Sequence, residues 1–310
     1  MTTALYTHPA CLAHVNPPGH PEQIARLEAI ADALAAPAFA ALDRREAPIC
    51  APDALLLAHP TSHIAAVNSA VPSQGFAMLD ADTSLSPGSL EAAQRAVGGA
   101  CAAVDAVLSG GVRNAFVATR PPGHHAEKIR PMGFCLYSNV AIAALHAIEN
   151  GGISRVAVLD FDVHHGNGTQ DVLWDEPRAR FVSSHQMPLY PGSGAALETG
   201  AHGTILNMPL AEGTGGREMR VAWENALTGI QAFTPELILI SAGFDAHASD
   251  PLGGLNWQTK DYAWLTGAIC DLAAKTCAGR VVSCLEGGYD LDALAESTAA
   301  HVTVLMEHGA

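Results

Sequence analysis

Between Val156 and Gly168 the chain reads Val-Ala-Val-Leu-Asp-Phe-Asp-Val-His-His-Gly-Asn-Gly. Apolar residues of strand character run into Asp160, Asp162 and His164 at intervals of two, and a Gly-rich turn is expected to follow. In an extended backbone that interval puts the three polar side chains on one face. Carboxylate oxygen and imidazole nitrogen are donors that zinc accepts, and a strand end is a rigid place to hold them. The plainer alternative is a strand end whose polar residues face water. Repetition favours chemistry, because three other apolar runs end in the same way. Ala115 to Thr119 leads to His124 and His125, Leu237 to Ile240 leads to Asp245, and Val281 to Leu285 leads to Tyr289. Candidate metal ligands, two imidazoles and a phenol are the parts that metal-assisted hydrolysis requires.

The elements that must position these groups alternate between strand and helix. A short strand, Ala4 to Tyr6, precedes a loop from Cys11 to His20. Pro21 suits a first helical position with Glu22 in the first turn, and Ile24, Leu27, Ile30 and Leu34 form one face, with Arg26 on the other side. Asp53 and Ser62 are expected to cap two short helices around His59-Pro60. Phe76 to Ser86 is turn-like, and a long Ala-rich helix follows until Gly110-Gly111. Val140 to Glu149 is helical. Beyond the central strand come strands at Phe181 to Ser184 and Ile205 to Met208, with a Gly- and Pro-rich loop from Met187 to Gly203 between them. Helices are expected at Arg217 to Phe233, at Lys260 to Cys277 and from beyond Tyr289 to about Met306. Continuous apolar strands separated by helices imply a parallel sheet covered on both faces. With no repeat, low-complexity tract or linker, the expectation is one α/β domain over residues 1–310, with a mostly parallel sheet of about eight strands. In such sheets ligands bind outside the carboxyl ends of the strands, where the polar groups fall.

Composition narrows the function classes. A chain of 310 residues with 49% hydrophobic content can bury a sizeable core. A net charge of -15, with only 16 Lys and Arg, leaves no basic face for nucleic acid or an anionic membrane. Seven cysteines without a CxxC pair suggest reduced thiols. The start of the chain lacks a basic and then apolar leader, and no apolar run reaches the roughly 18 residues of a membrane span, so the expectation is a soluble cytoplasmic protein.

The blocks Pro121-Pro-Gly-His-His125, Asp160-Phe-Asp-Val-His-His-Gly-Asn-Gly168, Gly243-Phe-Asp-Ala-His247 and Glu286-Gly-Gly-Tyr289 resemble the signature blocks of the zinc-dependent histone deacetylase family. That family includes bacterial acetylpolyamine amidohydrolases and shares the arginase/deacetylase fold. The resemblance runs in order across nearly the whole chain. The stretch Asn16-Pro-Pro-Gly-His-Pro-Glu22, and Asn167 where class I members carry Asp, are similar to the class II branch. One subgroup of that branch replaces the tyrosine with His; this chain keeps Tyr289.

The resemblance implies that Asp162, His164 and Asp245 bind zinc. Two carboxylates nearly cancel the charge of such an ion, so a separate base is needed. His124 and His125 match the tandem imidazoles, of which one moves a proton from water to the leaving amine and the other acts electrostatically. Asp160 would support His124 and Asn167 would support His125. Because a neutral amide raises an imidazole pKa less than a carboxylate does, His125 is expected to titrate lower than in class I relatives. Tyr289 would donate to the oxyanion, and Gly287 and Gly288 would let backbone approach the substrate. A structural potassium ion is implied at Asp160, the carbonyls of Asp162 and His164, and Ser183-Ser184. Gly133-Phe134 and Tyr190 match the aromatic walls of the substrate tunnel and Leu252 a third wall. Tyr190 stands where Phe is usual and adds a hydroxyl. Asp82 matches a rim carboxylate that holds substrate amides, against the alternative of a solvated loop Asp. Arg26 matches an arginine of an acetate exit channel, against the alternative of a surface helix Arg. Cys135 is read as core.

The implied partner is an acylated amine: acetyl-lysine, an acetylpolyamine, a longer acyl-lysine or a small amide. Polyamine enzymes tend to carry a long loop for which 310 residues leave little room, which favours peptides or small amides. An arginase-like ureohydrolase would share the fold but needs Asp where His247 stands. A silent binder of acetylated ligands would usually have lost Tyr289 or a metal ligand.

Overall fold

The computed structural model describes residues 2–310. Its strands are β1 (Thr3–Thr7), β2 (Asp43–Glu46), β3 (Ala77–Met78), β4 (Ser84–Leu85), β5 (Asn114–Val117), β6 (Val156–Asp160), β7 (Ala179–Gln186), β8 (Ile205–Leu210), β9 (Leu237–Ala242) and β10 (Val281–Leu285). Its α-helices are α1 (Ala25–Ala33), α2 (Thr61–Ala70), α3 (Ser89–Leu108), α4 (Asn139–Glu149), α5 (Asn167–Leu173), α6 (Gly216–Phe233), α7 (Thr259–Thr276) and α8 (Leu291–Gly309).

Eight strands form one sheet in the order β2-β1-β5-β10-β9-β6-β7-β8, and every pairing is parallel. β3 and β4 make a separate antiparallel ribbon. Every residue of β5, β6, β9 and β10 is buried, as a sheet covered on both faces requires. The two-residue period of each strand divides its side chains between two cores. Leu237 and Leu239 join Val156 and Val158 in the core under α3 and α4. Ile238 and Ile240 join Ala157 and Leu159 in the core under α1, α6, α7 and α8.

Three local expectations are corrected. The first helix begins at Ala25 rather than Pro21, because Glu22 is fully buried and its carboxylate is engaged by Arg26 and Arg120 instead of lying in a helical first turn. Neither Asp53 nor Ser62 caps a helix: Ala54 and Pro60 occupy those positions without side-chain hydrogen bonds. The turn expected after His165 is α5, which begins at Asn167. The eighth sheet strand is β2, Asp43-Arg-Arg-Glu46, whose charges suit an edge and hide it from a hydrophobic pattern. All seven cysteines are free and buried. Among the described residues no helix is long and apolar enough to cross a membrane.

Candidate active site

β5, β10, β9 and β6 are neighbours at the centre of the sheet, so the segments following their carboxyl ends meet at one edge. His164 Nδ1 lies 3.1 Å from Asp162 Oδ1 and 3.2 Å from Asp245 Oδ2. One ligand atom from each of the three residues falls within 4.8 Å of the others. Backbone amides aim the carboxylates: Val163 donates to Asp245 at 2.8 Å, and His164 and Gly287 donate to Asp162 at 2.9 and 2.8 Å. Gly287 is required here, since a Cβ would come within 2.0 Å of Asp245 Oδ2.

The electrostatics of this cluster ask for a cation. Burial opposes a charged His164, yet hydrogen bonds to Asp162 and Asp245 push its pKa up to about 10. Burial, and then the charge of Asp162, push Asp245 up to about 7. Among the described residues only histidines form ion pairs with the two carboxylates. Two carboxylate oxygens and an imidazole nitrogen converging in one buried place fit a divalent ion with a coordination position left open.

Beside the cluster the two imidazoles lie 4.0 Å apart between ring centroids. His124 Nδ1 is 3.0 Å from Asp160 Oδ2, and His125 Nδ1 is 2.7 Å from Asn167 Oδ1. Burial disfavours charge on His124, but Asp162 and Asp160 outweigh it and raise its pKa well above the usual histidine value. Burial and the positive charges of His124 and His164 hold His125 well below that value. The two rings are thus biased in opposite directions, His124 towards its charged form and His125 towards its neutral form.

A cavity of about 220 Å³ opens onto these groups, and His125, His164 and Tyr289 contribute to its lining. Phe134, Tyr190 and Leu252 supply apolar surface, together with Asp82, Gly133 and Leu189. Met132 and Cys135 exchange backbone hydrogen bonds across a two-residue turn whose central residues, Gly133 and Phe134, have φ of 55° and 68°. Glycine adopts that conformation freely whereas Phe is strained in it, a departure that concentrates at functional sites. The turn sets the Phe134 ring edge-on to Tyr289 at 5.9 Å, and Tyr190 stands edge-on to His125 at 5.2 Å. Asp82 is no freely solvated loop residue: it is half-buried, accepts from Gly133 N at 3.2 Å and so secures this turn. A cavity of about 240 Å³ between α1 and β1 is lined largely by apolar side chains such as Leu27, Ile30 and Leu34, and gathers no comparable set of acid, base and ligand.

Arg26 is fully buried rather than on the surface. It donates to Gly288 O at 2.6 Å and Glu286 O at 2.5 Å, and its guanidinium lies 4.9 Å from the Tyr289 ring centroid. Gly287 and Gly288 do not line the cavity; they pack against the ligand carboxylates and against Leu294 and Phe244. Ser183 pairs with Asp160 across β6 and β7, with its hydroxyl 2.9 Å from His185 Nδ1, while the Ser184 hydroxyl accepts from Trp223 at 3.1 Å. His247 accepts from Ser249 N at 3.2 Å and stands outside the ligand cluster.

Residues to which the sequence assigned no role hold the edge together. Glu286, buried and pushed up to about 7 by that burial, accepts from Gly123 N at 2.7 Å, His124 N at 3.1 Å and Ser241 Oγ at 3.3 Å, tying β5, β9 and β10 together. Asp250 accepts from Tyr289 N at 2.6 Å and Leu252 N at 3.0 Å, fixing phenol and wall together. The available signal for Glu286 is an acid directly after the strand Val281–Leu285, at the head of the block that ends in Tyr289. Glu22, which closes the Asn16–Glu22 stretch and is shared by Arg26 and Arg120, showed nothing of these partners in its local sequence.

A family model described as the histone deacetylase domain matches residues 20–305. Histone deacetylase 10, chloroplastic, of Oryza sativa subsp. japonica is 47% identical over 59% of this chain, a match that spans 42% of the rice protein. A histone deacetylase-like amidohydrolase of Pseudomonas aeruginosa is 38% identical over 89% of this chain and 74% of its own length. The solved structure titled the crystal structure of the HDA15 HD domain superposes with a TM-score of 0.94 at 34% identity, covering 99% of this chain and 88% of that one.

Proposed function

The chain belongs to the histone deacetylase family, and we propose that it is a zinc-dependent amidohydrolase that removes acetyl or other acyl groups from acyl-lysine or a related acylated amine. The observation that carries this reading is the convergence of Asp162, His164 and Asp245, of which His164 lines a cavity together with His125 and Tyr289. A zinc ion held by those three ligands would supply Lewis acidity to the substrate carbonyl and to water.

The chain's own groups do the rest. His125 is neutral, and with Nδ1 turned to Asn167 its Nε2 is the atom that takes the proton of the attacking water and returns it to the leaving amine nitrogen. His124, held charged by Asp162 and Asp160, stabilises the negative charge that develops. Burial raises the Tyr289 pKa well above its ordinary value, so the phenol keeps its proton and donates to the carbonyl oxygen as the carbon becomes tetrahedral. Phe134 and Tyr190 would flank the methylenes of the acylated amine. A structural potassium ion would rest against Asp160, Ser183, Ser184 and the carbonyls of Asp162 and His164, a reading supported by the register that sets Asp160 opposite Ser183.

The test is metal content by mass spectrometry together with acetate release from a panel of acylated lysine peptides, polyamines and small amides. About one zinc per chain and turnover of at least one acylated amine are expected. A chain that retains no divalent metal under zinc-replete conditions, or cleaves none of the panel, would sink the assignment. A preference for acetylpolyamines is the second reading, favoured by Asp82 beside the cavity with Asp80 bonded to its amide. The panel separates the two.

A further inference from the structure

The oxygen of an asparagine amide accepts hydrogen bonds and its nitrogen donates them, so the end that faces an imidazole selects the tautomer of that imidazole. Asn167, at the start of α5, turns its Oδ1 to His125 Nδ1 at 2.7 Å. Its Nδ2 lies 2.8 Å from Glu127 Oε1, with the Met132 sulfur at 3.3 Å and the His125 carbonyl at 3.5 Å as further acceptors. An ionised carboxylate accepts and does not donate. Turning the amide over would set its oxygen against Glu127, losing that bond, and its NH2 against His125 Nδ1, which accepts it only when the imidazole proton has moved to Nε2. Glu127 is half-buried in a turn closed by its own amide donating to Arg130 O at 3.0 Å, and its Oε1 rests against the Asn167 amide.

We propose that Glu127 is a positioning residue for the hydrolysis described above. By taking an amide hydrogen of Asn167 it locks that amide in one direction, keeps the His125 proton on Nδ1 and leaves Nε2 bare to receive the proton of the attacking water. His124 needs no such device, because Asp160 is a carboxylate whose two oxygens both accept. The amide at position 167 can face either way, and it is the carboxylate behind it that removes the choice. The stake is large, since a catalytic base in the wrong tautomer loses up to about four orders of magnitude in rate.

The inference rests on the hydrolase reading, and a double-mutant cycle with a spectroscopic arm separates the two. Glu127→Gln keeps the shape but can either accept or donate, so with Asn167 in place it should lower kcat about tenfold at unchanged KM, as loss of an orienting partner typically does. The 15N spectrum of His125 in the zinc-loaded protein, identified by its disappearance in His125→Ala, should then show a second tautomer. In an Asn167→Asp background the same Glu127→Gln exchange should raise kcat by about threefold, because it removes one of two carboxylates that would face each other. Equal losses in the two backgrounds, no loss with Asn167 present, or an unchanged His125 tautomer would each overturn the proposal. Glu127→Ala, which deletes the acceptor outright, provides a second variant with the same expected signs. If the unsubstituted protein cleaves no acylated amine, the hydrolase reading fails, while the His125 tautomer still decides whether Glu127 acts as the lock.

Discussion

At the scale of single residues, Tyr289 and Asn167 give the sharpest expectations. Tyr289 approaches the reaction as a neutral donor and is not a metal ligand, so Tyr289→Phe should lower kcat by about two to three orders of magnitude with metal content unchanged. Mass spectrometry and steady-state kinetics on the same preparation check both halves of that statement. Asn167 raises the pKa of His125 against burial and its cationic neighbours, but does so as a neutral amide. Asn167→Asp would put a negative charge in its place and raise that pKa further. The base works deprotonated, so the acid limb of the pH–rate profile should move to higher pH. An acid limb that stays where it was would contradict this.

At the scale of elements, the ligand cluster depends on how closely the segment after β10 can approach the segments after β6 and β9. Gly287 decides that distance: an added Cβ would stand 2.0 Å from Asp245 Oδ2 and 2.6 Å from Asp162 Oδ2. Gly287→Ala should therefore abolish metal retention as well as turnover. The comparison is Gly229→Ala within α6, where the nearest atom to an added Cβ is the tip of Arg180 at 3.7 Å. That exchange should stabilise the protein by about 0.5–1 kcal/mol in urea unfolding and leave metal content alone.

At the scale of the whole molecule, burial has made several histidines poor bases. It lowers His59 and His185 to about 4 and His165 and His301 to about 3. His301 is not one of the ligand residues; it is bonded to Thr266 and Ser283 and edge-on to Phe116, Phe161 and Phe244. In the unfolded chain its pKa returns to about 6.5, so between that value and about 3 the unfolded state binds the extra proton. Its contribution to stability is therefore intact above about pH 6.5 and lost progressively as pH falls. Glu286, raised to about 7 by burial, works in the opposite direction, so a difference between variants is the clean observable. The deficit of His301→Gln relative to the parent, measured by urea unfolding, should shrink by about 2 kcal/mol between pH 7 and pH 5. An unchanged deficit would mean that His301 is not buried neutral.

What the sequence determined by itself is local in origin. The period-two pattern from Asp160 to His164, the apolar runs that become β5, β6, β9 and β10, and the polar group after each run can all be read within about ten residues, because side-chain direction along a strand repeats every two residues. The histone deacetylase resemblance read from the same blocks agrees with the family model and the superposed structure. Only the tertiary structure decided what depends on distant partners. Arg26 resembles any helix-surface arginine until Gly288, 262 residues away, accepts its hydrogen bond. Glu22 resembles a first-turn acid until Arg120 engages it, and Glu127 resembles a loop acid until α5 brings Asn167 against it. β2 carries no apolar pattern because an edge strand is defined by the neighbour it pairs with. Burying a charge or a two-faced amide is costly unless a partner arrives, and which partner arrives is a property of the folded chain.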